Sequence, residues 1–312
     1  MSLSIFKSEE PYNFYEESGL SIIKNAIKDK LFLKSTKNSM DLFLRGRDII
    51  SVYPQTHGTH EPHIINLISN LSAIGFSDFL IDIGANIGLT SCQSGKNFKE
   101  VHMFEPNPYC CKILEVNSKI ALNKTNYKIY EFGLGDQNIK SVLTVPINNW
   151  GGAFIKDESN SYDEATLLKK DGFEVYDESN YFNVEIEVKN TVDILPQIFK
   201  NFENKNYTSG IIKLDAEGFE TTILKSFSKV LPNNIKLFII FESWDKNFDM
   251  NEILNLFHGR AKAYKIKRIV PWKNKFDKLF KIIFRLSKIK IKYELISNKS
   301  NEWNGDIVIY ID

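Results

Sequence analysis

The chain has 312 residues, 43% hydrophobic and 25% charged, and its 40 basic and 39 acidic residues leave a formal charge of +1. That composition is globular; it excludes a disordered polyelectrolyte and the capture of polyanions by bulk attraction. No apolar run reaches the roughly 18–20 residues that span a bilayer, Met1–Lys7 lacks a signal-peptide core, and three cysteines with a vicinal pair (Cys110, Cys111) make no disulfide framework, so a reducing cytosol is the expected home.

Residues 1–55 read as a helical extension, with an apolar pattern such as Leu20–Ile27. From there to the end, residues 56–312, short apolar runs alternate with helical stretches. Strands are expected at Phe79–Ile83, Glu100–Phe104, Tyr127–Phe132, Gly210–Leu214 and Ile235–Phe241, and helices at Cys110–Leu122 and Thr221–Lys229. Continuous apolar strands separated by helices argue for a parallel sheet buried on both faces. Residues 136–193 break the rhythm: Ser141–Val145 and Asn183–Val188 alternate by two, as an inserted antiparallel hairpin does, with Trp150-Gly151-Gly152 at its tip. Two further strands are expected at Ala263–Val270 and Asp306–Ile311. Between them, in a basic insertion over 271–300, Lys273 to Lys292 carries eight basic residues against the single acid Asp277.

The run Leu80-Ile81-Asp82-Ile83-Gly84-Ala85-Asn86-Ile87-Gly88 takes an apolar strand into a small-residue turn that opens a helix. A glycine there permits a tight turn and lets a ligand approach the backbone. The spacing is Gly-x-x-x-Gly rather than the dinucleotide Gly-x-Gly-x-x-Gly, and Asp82 would repel a phosphate, so a ligand without phosphate suits this loop better. About 20 residues on, Glu105 ends the next strand, where a carboxylate accepts hydrogen bonds from two ribose hydroxyls. Together the two features point to an adenosine-containing ligand. The plain alternatives are an ordinary strand-to-helix turn for the loop and, without the loop, a solvated strand-end acid for Glu105.

Four runs resemble the FkbM-type family of class I S-adenosylmethionine-dependent methyltransferases: Ile81–Gly88, Phe104-Glu105-Pro106, Gly133-Leu134-Gly135-Asp136, and Ile212-Lys213-Leu214-Asp215-Ala216-Glu217-Gly218-Phe219-Glu220 with Ile223–Lys225 behind it. Gly58–Pro62 looks like the segment leading into the family's first strand. The likeness covers roughly residues 55–245 and the closing strand. It implies a Rossmann-like α/β sheet whose last strand is antiparallel, S-adenosylmethionine as cofactor, and O-methyl transfer in polysaccharide or polyketide tailoring. On this sequence it implies that Gly84, Ala85, Asn86 and Gly88 hold the methionine part, with Asp82 near its amino group. Glu105 and Pro106 would lie at the ribose, and Phe132, Gly133 and Asp136 at the adenine; Phe132 reads equally well as a core aromatic.

An alcohol is a poor nucleophile while neutral, so its transfer needs a base. Asp215 is the first candidate by position, then Glu217, then His60, with Lys213 holding the acids ionised; an ion-pair cluster closing the strand ends is the plainer reading. Glu242, Trp150 and Trp244 are candidate acceptor contacts, the tryptophans because an indole stacks on a sugar ring. His57, His60 and His63 recur every third residue, but no cysteine is near, Pro62 would break a helix there, and no metal is expected. Asn107-Pro108-Tyr109 reads as a helix start outside the chemistry.

In Trp272–Ser287, Phe276, Leu279, Phe280 and Ile283 share one helical face among lysines. Such a helix near 273–289 either lies peripherally on the inner face of an anionic membrane or packs on the domain with its lysines in water. With 35 lysines and 5 arginines in the chain, lysine excess is general here and nucleic acid is not the expected partner. The expectation is therefore methyl transfer to a sugar hydroxyl of a surface glycan or nucleotide-sugar precursor. The rivals are a small-molecule hydroxyl or carboxyl, and a non-catalytic cofactor-fold module; a homo-oligomer contact at the hairpin tip stays open.

Overall fold

The computed structural model describes residues 20–156, 177–244, 248–269, 292–297 and 305–312, with residues 160, 165, 166, 168, 172, 175 and 303 besides. Helices α1 (Leu20–Ser35), α2 (Ile49–His57) and α3 (Pro62–Ala73) precede β1 (Phe79–Ile83). Next come α4 (Leu89–Ser94), β2 (Glu100–Phe104), α5 (Pro108–Ala121) and β3 (Asn126–Tyr130). The stretch that breaks the rhythm holds β4 (Gly133–Gly135), β5 (Ile139–Pro146), β6 (Phe154–Ile155) and β7 (Tyr181–Asn190). The chain continues through α6 (Thr191–Asn204), β8 (Ser209–Leu214), α7 (Glu220–Ser228), β9 (Lys236–Ser243), α8 (Met250–Asn255), β10 (Ala261–Ile269), β11 (Lys292–Ile296) and β12 (Gly305–Ile311).

Helix starts follow local chemistry. Asp48, Asn107, Asn190 and Asp249 each turn a side-chain oxygen onto the backbone N–H two residues ahead, capping α2, α5, α6 and α8. Pro62 opens α3 at its first turn, where no N–H is needed, so no single helix runs through His57, His60 and His63, as the proline suggested.

The main sheet has the order β11-β10-β12-β9-β8-β1-β2-β3. Strands β3, β2, β1, β8 and β9 are parallel, and β12 enters antiparallel between β9 and β10. This is the doubly wound parallel sheet that the apolar runs implied, with the antiparallel last strand that the family resemblance implied. Phe79, Ile81 and Ile83 join the core under α6 and α7, while Leu80 joins the core under α3 and α5. Burying each such side chain contributes roughly 1.5–3 kcal/mol. Asp82 shares the Leu80 side of β1, and so does its register partner Lys213 on β8.

The alternating stretch folds into a second sheet of order β4-β7-β5-β6, in which β5 pairs antiparallel with β7 from Ile139↔Val188 to Pro146↔Tyr181. The helix expected at Trp272–Ser287 lies outside the described residues. Cys92, Cys110 and Cys111 are buried free thiols, and burial pushes that of Cys92 up to about 12.

Candidate active site

The order of the main sheet reverses between β1 and β8, and ligands of such sheets bind in the crevice beyond the strand ends at that point. A cleft partly open to solvent lies there. Its floor is Asp82–Asn86, Glu105, Pro106, Lys213, Asp215, Ala216 and Glu217. His60 and Glu61 border one side, and Leu143, Phe154, Ile155, Ile186 and Val188 of the second sheet form an apolar wall.

Gly84, just past β1, packs against the backbone that leaves β8. Its φ is +81°, and a Cβ would stand 1.8 Å from the Asp215 carbonyl oxygen, so only glycine fits. Both Gly84 N–H and Ala85 N–H donate to the Phe104 carbonyl at 2.9 Å, which fixes the loop against β2. Glu105 accepts from Asn86 N–H and Asn107 N–H, each at 2.7 Å, with 7% of its surface exposed. Burial raises its carboxyl to about 7 despite those two donors. Asp82, 2% exposed, is raised by burial to about 6, against the Ser91 hydroxyl donating at 2.5 Å and the charge of Lys213.

Lys213 is buried and donates to Asp215 Oδ2 at 3.1 Å. Burial alone would lower its ammonium, but Asp215, Glu61 and Asp82 outweigh that and raise it, so the lysine stays charged. His60 is lowered, mainly by burial, so its ring is neutral near pH 7. The loop after β8 is held by buried Glu220, which accepts from Ala216 N–H at 2.8 Å and Gly218 N–H at 3.0 Å. Asn160 of the inserted stretch donates to the carbonyls of Ile155 and Glu217 at 3.0 Å each, tying the second sheet to this loop. Glu61, Asn86 and Glu217 all line the cleft with left-handed φ values of 39°, 49° and 46°. Such strain in non-glycine residues collects where a site over-determines its backbone.

Of the residues singled out in the sequence, the cleft gathers His60, Asp82, Gly84, Ala85, Asn86, Glu105, Pro106, Gly133, Trp150, Lys213, Asp215 and Glu217. Five others do not line it. Gly88 is a packing glycine, its absent Cβ 2.8 Å from Leu114 Cδ1 and 2.9 Å from Cys92 Sγ. Phe132 packs on Phe104 and Tyr130 under the Lys189 ammonium, as the core-aromatic reading had it. Asp136 is exposed. Glu242 sits opposite Asp306 on β12, and Trp244 packs behind Phe154 with Tyr181. The three histidines diverge: His57 stacks on Tyr53, His63 contacts Asp306 Oδ2 at 3.0 Å, and His60 alone faces the cleft. Among the described residues no group of three metal-capable side chains forms a site.

Sequence reading missed Glu61, Glu220 and the apolar wall. The signal for the wall was present, because Ile186 and Val188 alternate in β7 as Leu143 and Val145 do in β5, and these are the buried faces.

Comparison with known proteins adds the family. The Methyltransferase FkbM domain model matches residues 82–266. The chain belongs to the FkbM methyltransferase family. It is a methyltransferase, and S-adenosylmethionine is its cofactor. The methyltransferase is 28% identical over 204 residues to Methyltransferase sdnD of Sordaria araneosa, covering 62% of this chain and 74% of that one. It also aligns with the precorrin-6y C5,15-methyltransferase of Geobacter metallireducens GS-15 (TM-score 0.38, 10% identity, 80% of this chain and 89% of that). Another similar structure is the O-methyltransferase of Bacillus cereus solved with S-adenosylhomocysteine (TM-score 0.35, 10% identity, 99% of this chain and 95% of that).

The cleft fits that cofactor by its own chemistry. Asn86 keeps Nδ2 and Oδ1 buried with no hydrogen-bond partner, an unmet donor and acceptor in a lining residue. Five carboxylates (Glu61, Asp82, Glu105, Asp215, Glu217) against one lysine suit a cationic ligand.

Proposed function

We propose that this methyltransferase acts on oxygen, and that its acceptor is a hydroxyl of a sugar in a glycan or glycan precursor. In this reading Gly84, Ala85 and Asn86 hold the methionine end of the cofactor, Asp82 faces its ammonium and Glu105 accepts from its ribose hydroxyls. The cofactor supplies an electrophilic methyl on a sulfonium. Asp215 takes up the proton that the acceptor hydroxyl loses as its oxygen gains the methyl. Lys213 holds that carboxylate in place through their 3.1 Å contact. Glu217 and Glu61 accept from neighbouring hydroxyls, and Trp150 and Phe154 offer faces to the ring. The observation that carries this reading is the cluster of His60, Glu61, Lys213 and Asp215, near enough to act on one another electrostatically, in the cleft that Glu217 also lines. Three buried free cysteines support placing the enzyme in a reducing cytosol.

Two observations favour second readings. The wall of Leu143, Ile155, Ile186 and Val188 favours an apolar hydroxylated small molecule as acceptor. The neutral ring of His60 favours histidine as the base.

One experiment addresses both. The enzyme is assayed with labelled cofactor against nucleotide sugars, oligosaccharides and apolar hydroxylated compounds, and then as Asp215→Asn and His60→Asn. Methylation of sugars, with turnover lost in Asp215→Asn and cofactor affinity kept, is the expected result. Transfer to apolar acceptors only would overturn the sugar reading, and near-normal turnover in Asp215→Asn would remove Asp215 as the base.

A further inference from the structure

A second groove begins where the cleft ends. Glu61 lines the cleft and Pro62 lines the groove, and consecutive Cα atoms stand about 3.8 Å apart. From Pro62 the groove follows α3 past Asn66 and Asn70. These three positions are four residues apart, so they share one face of the helix and span about 12 Å of its axis. Arg268 of β10 and Tyr293 of β11 line it as well. They are register partners, and Arg268 lies two residues from Ile266, which packs in the core under α3. The outer strands of the main sheet thus form the wall that faces α3.

The junction of cleft and groove is pinned by His63. Its Nε2 lies 3.0 Å from Asp306 Oδ2 on β12, and its ring stacks on Tyr293 with centroids 4.9 Å apart. Glu61 and Glu242 are close enough for their charges to act on the same imidazole. Carboxylates from the start of α3, from β9 and from β12 therefore meet where one depression passes into the other. Within the groove the chemistry is polar and aromatic. Asn66, Asn70 and Arg268 are exposed, and their side chains have no hydrogen-bond partner among the described residues. Tyr53, which also lines the groove, and Tyr293 are 45% and 40% exposed. Each is braced by a histidine, Tyr53 by His57 at 4.1 Å between ring centroids and Tyr293 by His63.

We infer that this groove is a second acceptor subsite, which holds the sugars adjoining the one that is methylated, so that the acceptor is an oligosaccharide or a longer glycan and not a single sugar. The inference rests on the sugar reading given above. The side chains select this occupant. Amides and a guanidinium donate to hydroxyls, the amides also accept from them, and a braced tyrosine ring takes the apolar face of a sugar. An acyl chain or an apolar helix laid in the same place would bury those amides and that guanidinium without partners. Continuity with the cleft supplies the rest. A chain of sugars that enters the groove passes the carboxylates at the junction and reaches Asp215 without leaving the surface of the protein.

The test applies the full chain, saturated with S-adenosylhomocysteine, to an array of immobilised glycans running from single sugars to long oligosaccharides. Retention of oligosaccharides over the single sugars that compose them is expected. Tyr53→Ala/Tyr293→Ala should hold those glycans at least about tenfold more weakly. Asn66→Ala/Asn70→Ala, at two exposed helix positions where alanine does not harm the fold, should weaken them too. Both variants should keep S-adenosylhomocysteine affinity, which reports that the catalytic fold is intact. Transfer from labelled S-adenosylmethionine to the retained glycans separates this inference from the reading beneath it. Oligosaccharides held through the groove yet never methylated would leave the groove standing and remove the sugar as acceptor. Single sugars methylated as readily as oligosaccharides, at rates that neither variant changes, would overturn the groove and leave the sugar reading intact. An array on which the wild type retains nothing, or retention undiminished in both variants, also overturns the inference.

Discussion

Replacing Glu105 with glutamine separates two roles that the geometry gives the same carboxylate. Its oxygens accept from Asn86 N–H and Asn107 N–H at 2.7 Å each, and it is assigned the ribose hydroxyls as well. Glutamine keeps one oxygen, and its amide NH2 then faces one of those N–H donors. One charge-assisted bond is lost and a buried donor is left unmet, each costing about 1–3 kcal/mol. If the ribose hydroxyls also lose an acceptor, S-adenosylhomocysteine should bind about 5- to 150-fold more weakly, the equivalent of about 1–3 kcal/mol. Calorimetry with S-adenosylhomocysteine and with an analogue lacking both ribose hydroxyls reads the two roles apart. The wild type should prefer the parent ligand, and Glu105→Gln should lose most of that preference. Should the variant discriminate as well as the wild type, Glu105 is a loop brace and its place at the ribose is refuted.

The remaining expectations concern the floor of the cleft. Gly84→Ala places a Cβ against the Asp215 carbonyl at a φ of +81°, so it should lower the melting temperature by several degrees and abolish measurable cofactor binding; a normal melting curve would contradict the close approach. Cofactor affinity should depend on pH with a definite sign. Asp82 and Glu105 titrate near 6 and 7, and a cation prefers them ionised, so S-adenosylmethionine should bind more tightly as pH rises from about 5 to 8. For Asp82 the stability linkage runs the other way. A carboxyl raised from the unfolded value near 4 to about 6 favours the fold at low pH, and that contribution is lost as pH climbs through 6. Without ligand, Asp82→Asn should therefore gain stability relative to the wild type between pH 4 and 7, by up to about 3 kcal/mol in denaturant titrations.

Much of this architecture was legible because burial on both faces writes itself as unbroken apolar sequence. Phe79–Ile83 and Gly210–Leu214 could be read as parallel strands for that reason, each apolar but for one charged residue, Asp82 or Lys213. The two-residue alternation of β5 and β7 was equally plain. That their apolar face would roof the cleft was not, because the pairing of β4 with β7 links residues more than fifty positions apart. β6, two residues long, carries no pattern of its own. Gly84 and Gly88 look alike in the sequence and share a positive φ, yet one faces β8 and the other faces Leu114. Only tertiary contacts tell them apart. The pairing of Asp82 with Lys213 across β1 and β8, which shapes the electrostatics of the site, is likewise a matter of register.

One feature of the main sheet bears on how the molecule is made. β12 lies between β9 and β10, although it is synthesised after both, and its Ile307, Val308, Ile309 and Ile311 are wholly enclosed. During translation β10 therefore has no permanent neighbour on that side, and β9 keeps an open edge, until residues 305–311 clear the ribosome. Completion of the core waits on a late insertion between strands already present. That order favours slow folding of nascent chains and exposes an apolar edge to chaperones until β12 has been made.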